Sequence, residues 1–314
     1  MVRTFRIVVV VGVFMALLGL SGNPAQSAEN GTGVYLLGYQ SSMAGYLPDP
    51  GVYLRNDFFW YQGNAKALPF SGKVEANLRG RLFADMVNLT WVTPLKFQEV
   101  TYAAGIIWAP YANTFLKGQA QVGKFINITR EGDYTGVGDL VLTPLILGWH
   151  SKYFHLLGLF NVYAPVGSYN TGRILNTGLN RWAVEPNIGV TFVHPKYGQE
   201  VSVFLGYTVH FRNPATDYTT GNEFHLEYFV GQHLPKGFAL GLAGYYVQQV
   251  TDDTGTGAIL GPFRGTKVAL GPCLTYNTKT AGHLVGANIR YYNEVYTKNR
   301  LDGQCLWVTL SGGF

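Results

Sequence analysis

The chain has 314 residues, 40 of them glycine; 15% are aromatic, 13% are charged and the formal net charge is +5. Soluble domains average about 25% charged residues and about 7% glycine, and disordered chains are charge-rich and poor in aromatics. Disorder is excluded, as is collagen, because the glycines have no three-residue period. Two homes remain: a large soluble β-protein, or a transmembrane β-barrel with lipid on one side of each strand and a lumen on the other.

Residues 1–27 read as a secretory signal peptide. Arg3 and Arg6 form a charged start, Ile7 to Leu20 an apolar run, and Ala25-Gln26-Ser27 a small-residue cleavage site. Losing two arginines lowers the net charge from +5 to +3. The remaining Lys and Arg are scattered, so nucleic acid is excluded as a partner. Residues 28–50, rich in Gly and Pro, are expected to form a hatch or plug ahead of a barrel spanning 51–314.

From residue 51 onward, strand-like runs follow one another: 51–62, 82–93, 99–109, 118–128, 137–149, 153–165, 182–193, 199–211, 222–233, 237–250, 264–276, 283–296 and 303–314. They exceed the soluble mode of about five or six residues and match the about 9–11 needed to cross a bilayer. In 201–211, Val201, Val203, Leu205, Tyr207, Val209 and Phe211 share one face; Ser202, Phe204, Gly206, Thr208 and His210 share the other. The second face is rich in small and polar residues but poor in Lys and Glu, as a crowded lumen requires. Rings at Trp60, Tyr61, Trp91, Trp108, Trp149, Tyr163, Trp182, Phe211, Tyr291 and Tyr292 fall near strand ends, where interface girdles lie. The expectation is an all-β fold: an antiparallel transmembrane β-barrel of 12–14 strands with an N-terminal hatch or plug.

Phe314 ends a strand whose Leu306, Val308 and Leu310 share its face, a pattern that resembles the signal read by the outer-membrane assembly machinery. Counting back from a periplasmic C-terminus puts the long connections 297–302, 251–263, 212–221, 166–181 and 129–136 outside, and short ones inside. Thirteen runs break the even-number rule: either 51–62 is not a wall strand or 63–81 hides another. Cys273 and Cys305 point inward on strands separated by a third. Next-nearest strands lie about 9.6 Å apart, beyond the about 7 Å reach of a disulfide, so both thiols are expected free.

Several stretches resemble one bacterial family. They are 44–48 (AGYLP) leading into 51–57 (GVYLRND), 136–140 (GVGDL) with Thr143-Pro144 and Gly148-Trp149, 164–169 (APVGSY), 213–218 (NPATDY) with Gly221, Gly244-Tyr245-Tyr246 with Gln249, and Gly261-Pro262-Phe263. The family is that of outer-membrane proteins labelled as involved in the meta-pathway of phenol degradation, relatives of long-chain fatty-acid and aromatic-hydrocarbon channels. The resemblance implies a barrel of about fourteen strands with an N-terminal hatch, and uptake of hydrophobic or aromatic compounds.

The residues themselves agree on the solute. In 153–165 both faces are apolar: Phe154, Leu156, Phe160 and Val162 on one, Leu157, Leu159 and Tyr163 on the other. A water-filled porin needs polar residues there. No nucleophile, metal, zincin or phosphate-loop signature is present, so neither a catalytic role nor a metal or other cofactor is expected. Asp252-Asp253 reads as a solvated turn. Glu223, His225 and Glu227 share the lumen face and, with Lys267, Arg290 and Glu294, form a candidate charge network. Asp139, Glu185, Asn187, His225, Glu227 and Arg290 are the expected lumen-lining, ligand-facing residues. The reading is a monomeric outer-membrane channel of a Gram-negative bacterium for passive uptake of hydrophobic or aromatic small molecules. An outer-membrane lipid or ester hydrolase, and a structural or adhesive barrel, are the alternatives.

Overall fold

The computed structural model describes residues 29–31, 33–70, 73–122, 126–258, 264–280 and 282–314. The expected signal peptide, 1–27, and the stretch 261–263 lie outside the described residues. Strands follow in order: β1 Gly51–Phe70, β2 Lys73–Phe97, β3 Val100–Val122, β4 Ile126–Gly136, β5 Leu140–His150, β6 Phe154–Ala164, β7 Ala183–Val193, β8 Gln199–His210, β9 Glu223–His233, β10 Phe238–Gln249, β11 Thr266–Thr280, β12 His283–Lys298 and β13 Asp302–Gly313. Neighbours pair antiparallel, and β1 pairs with both β2 and β13, so the sheet closes on itself with no free edge across the barrel. Phe314 completes the seam: its N–H donates to the Val52 carbonyl at 2.8 Å and its carbonyl accepts from the Val52 N–H at 3.1 Å.

β4 and β5 pair in series along the same edge of β3 and form a single stave. The wall therefore has twelve staves, an even number. The surplus run is 118–128, not 51–62, and 63–81 hides no extra strand. β3 passes straight through 99–109 and on to Val122, and 129–136, expected as an external loop, belongs to β4. The cause is local. Between the pairs Val87↔Trp108 and Asp85↔Tyr111, β3 carries one residue more than β2. That bulge lies at Ala109-Pro110, where proline offers no N–H to the ladder. It reverses the in-out alternation, so one long strand reads as two short runs. Opposite it, Val137-Gly138-Asp139 interrupts the β4–β5 stave, and the Gly138 N–H bridges back to the Ala109 carbonyl at 2.9 Å.

Alternation places the side chains. Val201, Tyr207, Leu310 and Phe314 face outward and are exposed, while Phe204, Ser202 and Thr208 face inward and are buried. Trp91, Trp108 and Trp182 are exposed at the rims as a girdle requires. Tyr163 and Tyr292 are not in the girdle: both are buried inside, and Tyr61 turns inward to Lys267 and Glu294. Adjacent residues on a strand point to opposite faces, so Trp60 and Tyr61, or Tyr291 and Tyr292, cannot both face lipid. Cys273 and Cys305 are buried and free, with β12 between their strands.

The ends differ as expected of such barrels. At one end the connections are tight; Gly237 has φ 85°, and a Cβ there would lie 1.9 Å from the Asn277 carbonyl oxygen. At the other end lie the long connections 165–182, 211–222 and 250–265.

Residues 33–50 run along the inside of the barrel. Going from the long-loop end to the tight-turn end, Tyr35 and Gly38 meet β9, Tyr39 meets β12, Ser42 and Met43 meet β8, and Gly45 meets β7, before the chain enters β1.

Candidate functional site

The lumen holds a cavity of about 580 Å³ between the 33–50 segment and the wall, chiefly the β1–β6 arc, with Phe204, Tyr245, Lys267, Glu294 and Cys305 of the other strands also reaching it. Inward residues of β1 to β6 form its far side: Phe59, Met86, Ile107, Ile146, Leu157 and Leu159. Tyr35, Leu36, Leu37 and Tyr39 of the segment form its near side. The cavity runs from Leu175, Asn176 and Thr177 at the long-loop end to Tyr46, Leu47 and Ser311 at the other. Its surface is mainly apolar, but Arg55, Arg81, Asp139, Lys267, Glu294 and Arg300 also reach it; Asn88 donates to the Tyr39 hydroxyl at 2.9 Å, and Thr143 donates to Asn161 at 2.8 Å. A long, mainly apolar space with a few charged groups on its wall accepts poorly soluble molecules.

The opposite arc, β7 to β13, is built of buried polar and charged side chains, and these hold the segment. Glu227 accepts from the N–H groups of Gly38 at 2.5 Å and Gln40 at 2.6 Å and from the Tyr35 hydroxyl at 2.9 Å. Arg290 donates to the Tyr39 carbonyl at 2.9 Å and to Thr309 at 2.9 Å. Glu200 accepts from the Met43 N–H at 2.6 Å and the Ser42 hydroxyl at 2.8 Å. The Trp307 indole donates to the Leu37 carbonyl at 3.1 Å, and its ring packs 4.4 Å from Phe59 and 5.6 Å from Tyr39. An irregular backbone buried inside a barrel needs such partners for its N–H and C=O groups.

The six expected residues separate into three positions. Asp139 lines the cavity, and its carboxylate accepts from the N–H groups of Gly167 at 2.8 Å and Leu179 at 2.7 Å. Glu227 and Arg290 touch the segment. Glu185, Asn187 and His225 lie together in the β7–β9 wall. Glu185 accepts from Thr208 at 2.6 Å, Tyr163 at 3.2 Å and Asn161 at 3.3 Å, and lies 3.7 Å from His225. Asn187 and the His225 imidazole crowd the space above Gly206, and the Tyr35 ring stacks on that imidazole at 4.0 Å. The charge network expected from Glu223 to Glu294 is several separate clusters. Lys267 pairs with Glu294 at 2.7 Å; Glu223 meets Arg300 and lies 3.2 Å from His210; Arg290 faces Asp57 at 3.9 Å and Arg55 meets Asp57 at 2.8 Å.

The motif stretches converge at the long-loop end. Asp139 of 136–140 binds Gly167 of 164–169, and the Ser168 N–H donates to the Val137 carbonyl at 2.9 Å. Asp253 is not a solvated turn residue: it is buried and accepts from Tyr218 at 2.6 Å, the Gly221 N–H at 2.7 Å and Gln249 at 2.8 Å. Burial, reinforced by that carboxylate, pushes the Tyr218 phenol well above its usual range. Asp252 does reach solvent, paired with Arg264 at 2.6 Å.

Sequence reasoning missed Phe59, Met86 and Ile107 as cavity walls, because each stands on its inward face between small or polar neighbours: Asp57 and Tyr61, Ala84 and Asn88, Gly105 and Ala109. It also missed Glu200, whose signal is its two-residue spacing from Ser202 on the buried face of β8.

A closed twelve-stave barrel with an exposed apolar belt and an apolar passage is an integral outer-membrane channel fold. The family described as "Putative MetA-pathway of phenol degradation" matches residues 63–310, and the chain belongs to it. The crystal structure of the COG4313 outer membrane channel from Pseudomonas putida F1 superposes with a TM-score of 0.66 at 15% identity, covering 87% of this chain and 98% of that one. The CymD monoaromatic hydrocarbon channel matches with a TM-score of 0.45 at 6% identity, covering 85% of this chain and 88% of that one. The beta domain of the Bordetella autotransporter Brka matches with a TM-score of 0.44 at 11% identity, covering 85% and 100%. No curated protein matches the chain in sequence.

Proposed function

We propose that this protein is a monomeric channel for passive, diffusive uptake of hydrophobic or aromatic small molecules across the outer membrane. The observation that carries this is the apolar cavity of about 580 Å³ running along the β1–β6 arc. Family membership and the likeness to an outer-membrane channel support it. Residues 28–50 act as the hatch, anchored through Glu227, Arg290 and Glu200. Residues 1–27 are the export signal, and Phe314 is read by the assembly machinery during insertion.

Of the six residues expected to face solute, Asp139 does so directly. Glu227 and Arg290 set the position of the hatch, and Glu185, Asn187 and His225 brace the wall behind it. His225 is 1% exposed beneath Tyr35, which keeps it from any solute and supports a structural role rather than a hydrolytic one. The test is growth and uptake in a strain lacking the gene. Growth on hydrophobic aromatic carbon sources falls, and returns with the intact gene. Unchanged uptake of every aromatic and long-chain solute tried removes the reading.

A further inference from the structure

Glu29 lies at the long-loop end, beyond the strands, and its side chain is buried. Three donors from two loops converge on its carboxylate. Arg181 Nη1 reaches Oε2 at 3.0 Å, Thr216 Oγ1 reaches Oε1 at 2.8 Å, and Asn213 Nδ2 lies 3.2 and 3.3 Å from the two oxygens. Asn213 also donates to the Tyr169 hydroxyl at 3.1 Å and is fixed by its paired backbone bonds to Tyr218. A guanidinium, an amide and a hydroxyl aimed at one point make a carboxylate-recognition site. The site adjoins the solute path: Gly31, Asn176, Thr177 and Leu179 line the outer end of the cavity, and Leu179 is two residues from Arg181.

We propose that this cradle is a carboxylate-binding site at the mouth of the cavity. Glu29 fills it in the resting chain, and the acid group of an amphipathic solute takes it by displacing Glu29. The proposal rests on the uptake reading and adds to it a preference for solutes with an apolar body and one carboxylate. A buried carboxylate is stable only where its oxygens are met by donors and its charge is offset. The cradle supplies both to Glu29 and equally to a free acid. A neutral head group brings no charge to set against the buried guanidinium. Exchange would also release the outer end of the hatch, coupling solute capture to movement of the segment. Because Glu29 is tethered, it competes at an effective concentration in the millimolar range.

The test uses the purified full-length barrel in detergent, with 2-naphthoate and 2-naphthol as probes in calorimetry. Removing the internal competitor in Glu29→Ala is expected to tighten 2-naphthoate binding on the order of ten-fold, with 2-naphthol unchanged. Glu29→Gln, which keeps the shape and loses the charge, gives a smaller gain. Adding Thr216→Val to Glu29→Ala reverses part of the gain. Equal 2-naphthoate affinity in wild type and Glu29→Ala overturns the proposal, as does an equal gain for 2-naphthol, which reports only a loosened hatch. Heat-modifiable migration on a gel checks that each variant is folded. A 2-naphthoate gain in vitro beside unchanged uptake in the deletion strain keeps the cradle and removes the uptake reading. Impaired uptake in that strain without the gain does the reverse.

Discussion

The two arcs of the lumen contrast sharply although one kind of strand builds both. The β7–β13 arc presents buried carboxylates, guanidiniums and hydroxyls, and the 33–50 segment is hydrogen-bonded to it. The β1–β6 arc presents Phe59, Met86, Ile107 and Leu159, and the cavity lies against it. The contrast follows from what each arc faces. Peptide groups of an irregular segment demand partners when removed from water, so the arc holding the segment must be polar. A path for a poorly soluble molecule needs apolar contact along its length, and the other arc supplies most of it. Asp57 marks the seam: it sits on β1 but takes Arg55 at 2.8 Å and Thr309 of β13.

The largest expected effect comes from removing the segment that separates the arcs. Deleting residues 29–50 is expected to raise single-channel conductance in planar bilayers about ten-fold, because a barrel of this size encloses an aqueous lumen once emptied. Conductance equal to wild type would mean that the segment does not occlude the lumen.

Next is the anchor. Glu227→Ala leaves the Gly38 and Gln40 N–H groups without their acceptor. Each unsatisfied buried donor costs about 1–3 kcal/mol, so frequent open events are expected in the same recordings. Glu227→Gln, which keeps one acceptor oxygen, falls between the two. Silent recordings from Glu227→Ala would place the anchor elsewhere.

Filling the apolar arc is the complementary perturbation. Met86→Trp crowds the cavity while leaving every polar contact of the segment in place. Uptake of naphthalene into proteoliposomes is expected to fall severalfold without change in the unfolding temperature. Unaltered uptake would put the solute path outside this cavity.

The smallest effect concerns the wall of the polar arc and its thiols. Gly206→Ala places a Cβ 2.0 Å from the His225 imidazole and 2.4 Å from Asn187. Overpacking of that kind costs about 1–3 kcal/mol, read as a lower temperature for the heat-modifiable transition, with conductance unchanged. Cys273→Ser with Cys305→Ser should leave migration under non-reducing conditions identical to wild type, since the two thiols are not joined.

The polar arc was the more legible in the sequence. Strands β7 to β13 alternate with one break, a bulge at Val295 of β12, and counting by twos places Glu223, His225, Glu227 and Arg290 inside, where they are. The early strands were legible only in part. The bulge at Ala109-Pro110 and the break at Val137-Gly138-Asp139 each shift the phase of the pattern. A strand that changes phase loses its amphipathic signature although its ladder continues. The apolar stretch 153–165 still pointed to the nature of the lumen, and Leu157 and Leu159 do line the cavity. What each buried charge holds was not legible. Glu227 and Asp253 bind partners far away in the chain, and spacing along a strand carries no trace of them. The convergence of the loop motifs around Asp139 is of the same kind.

In the proposed function, solute passes along the apolar arc while the segment stays on the polar one. A crystal structure of the protein soaked with 2-bromonaphthalene would show this, because bromine marks the ligand by anomalous scattering. The expected result is a bromine peak among Phe59, Met86, Ile107 and Leu159, with Gly38 and Gln40 still bonded to Glu227. A peak beside His225 and Glu227 with the segment displaced, or no peak inside the barrel, would contradict it.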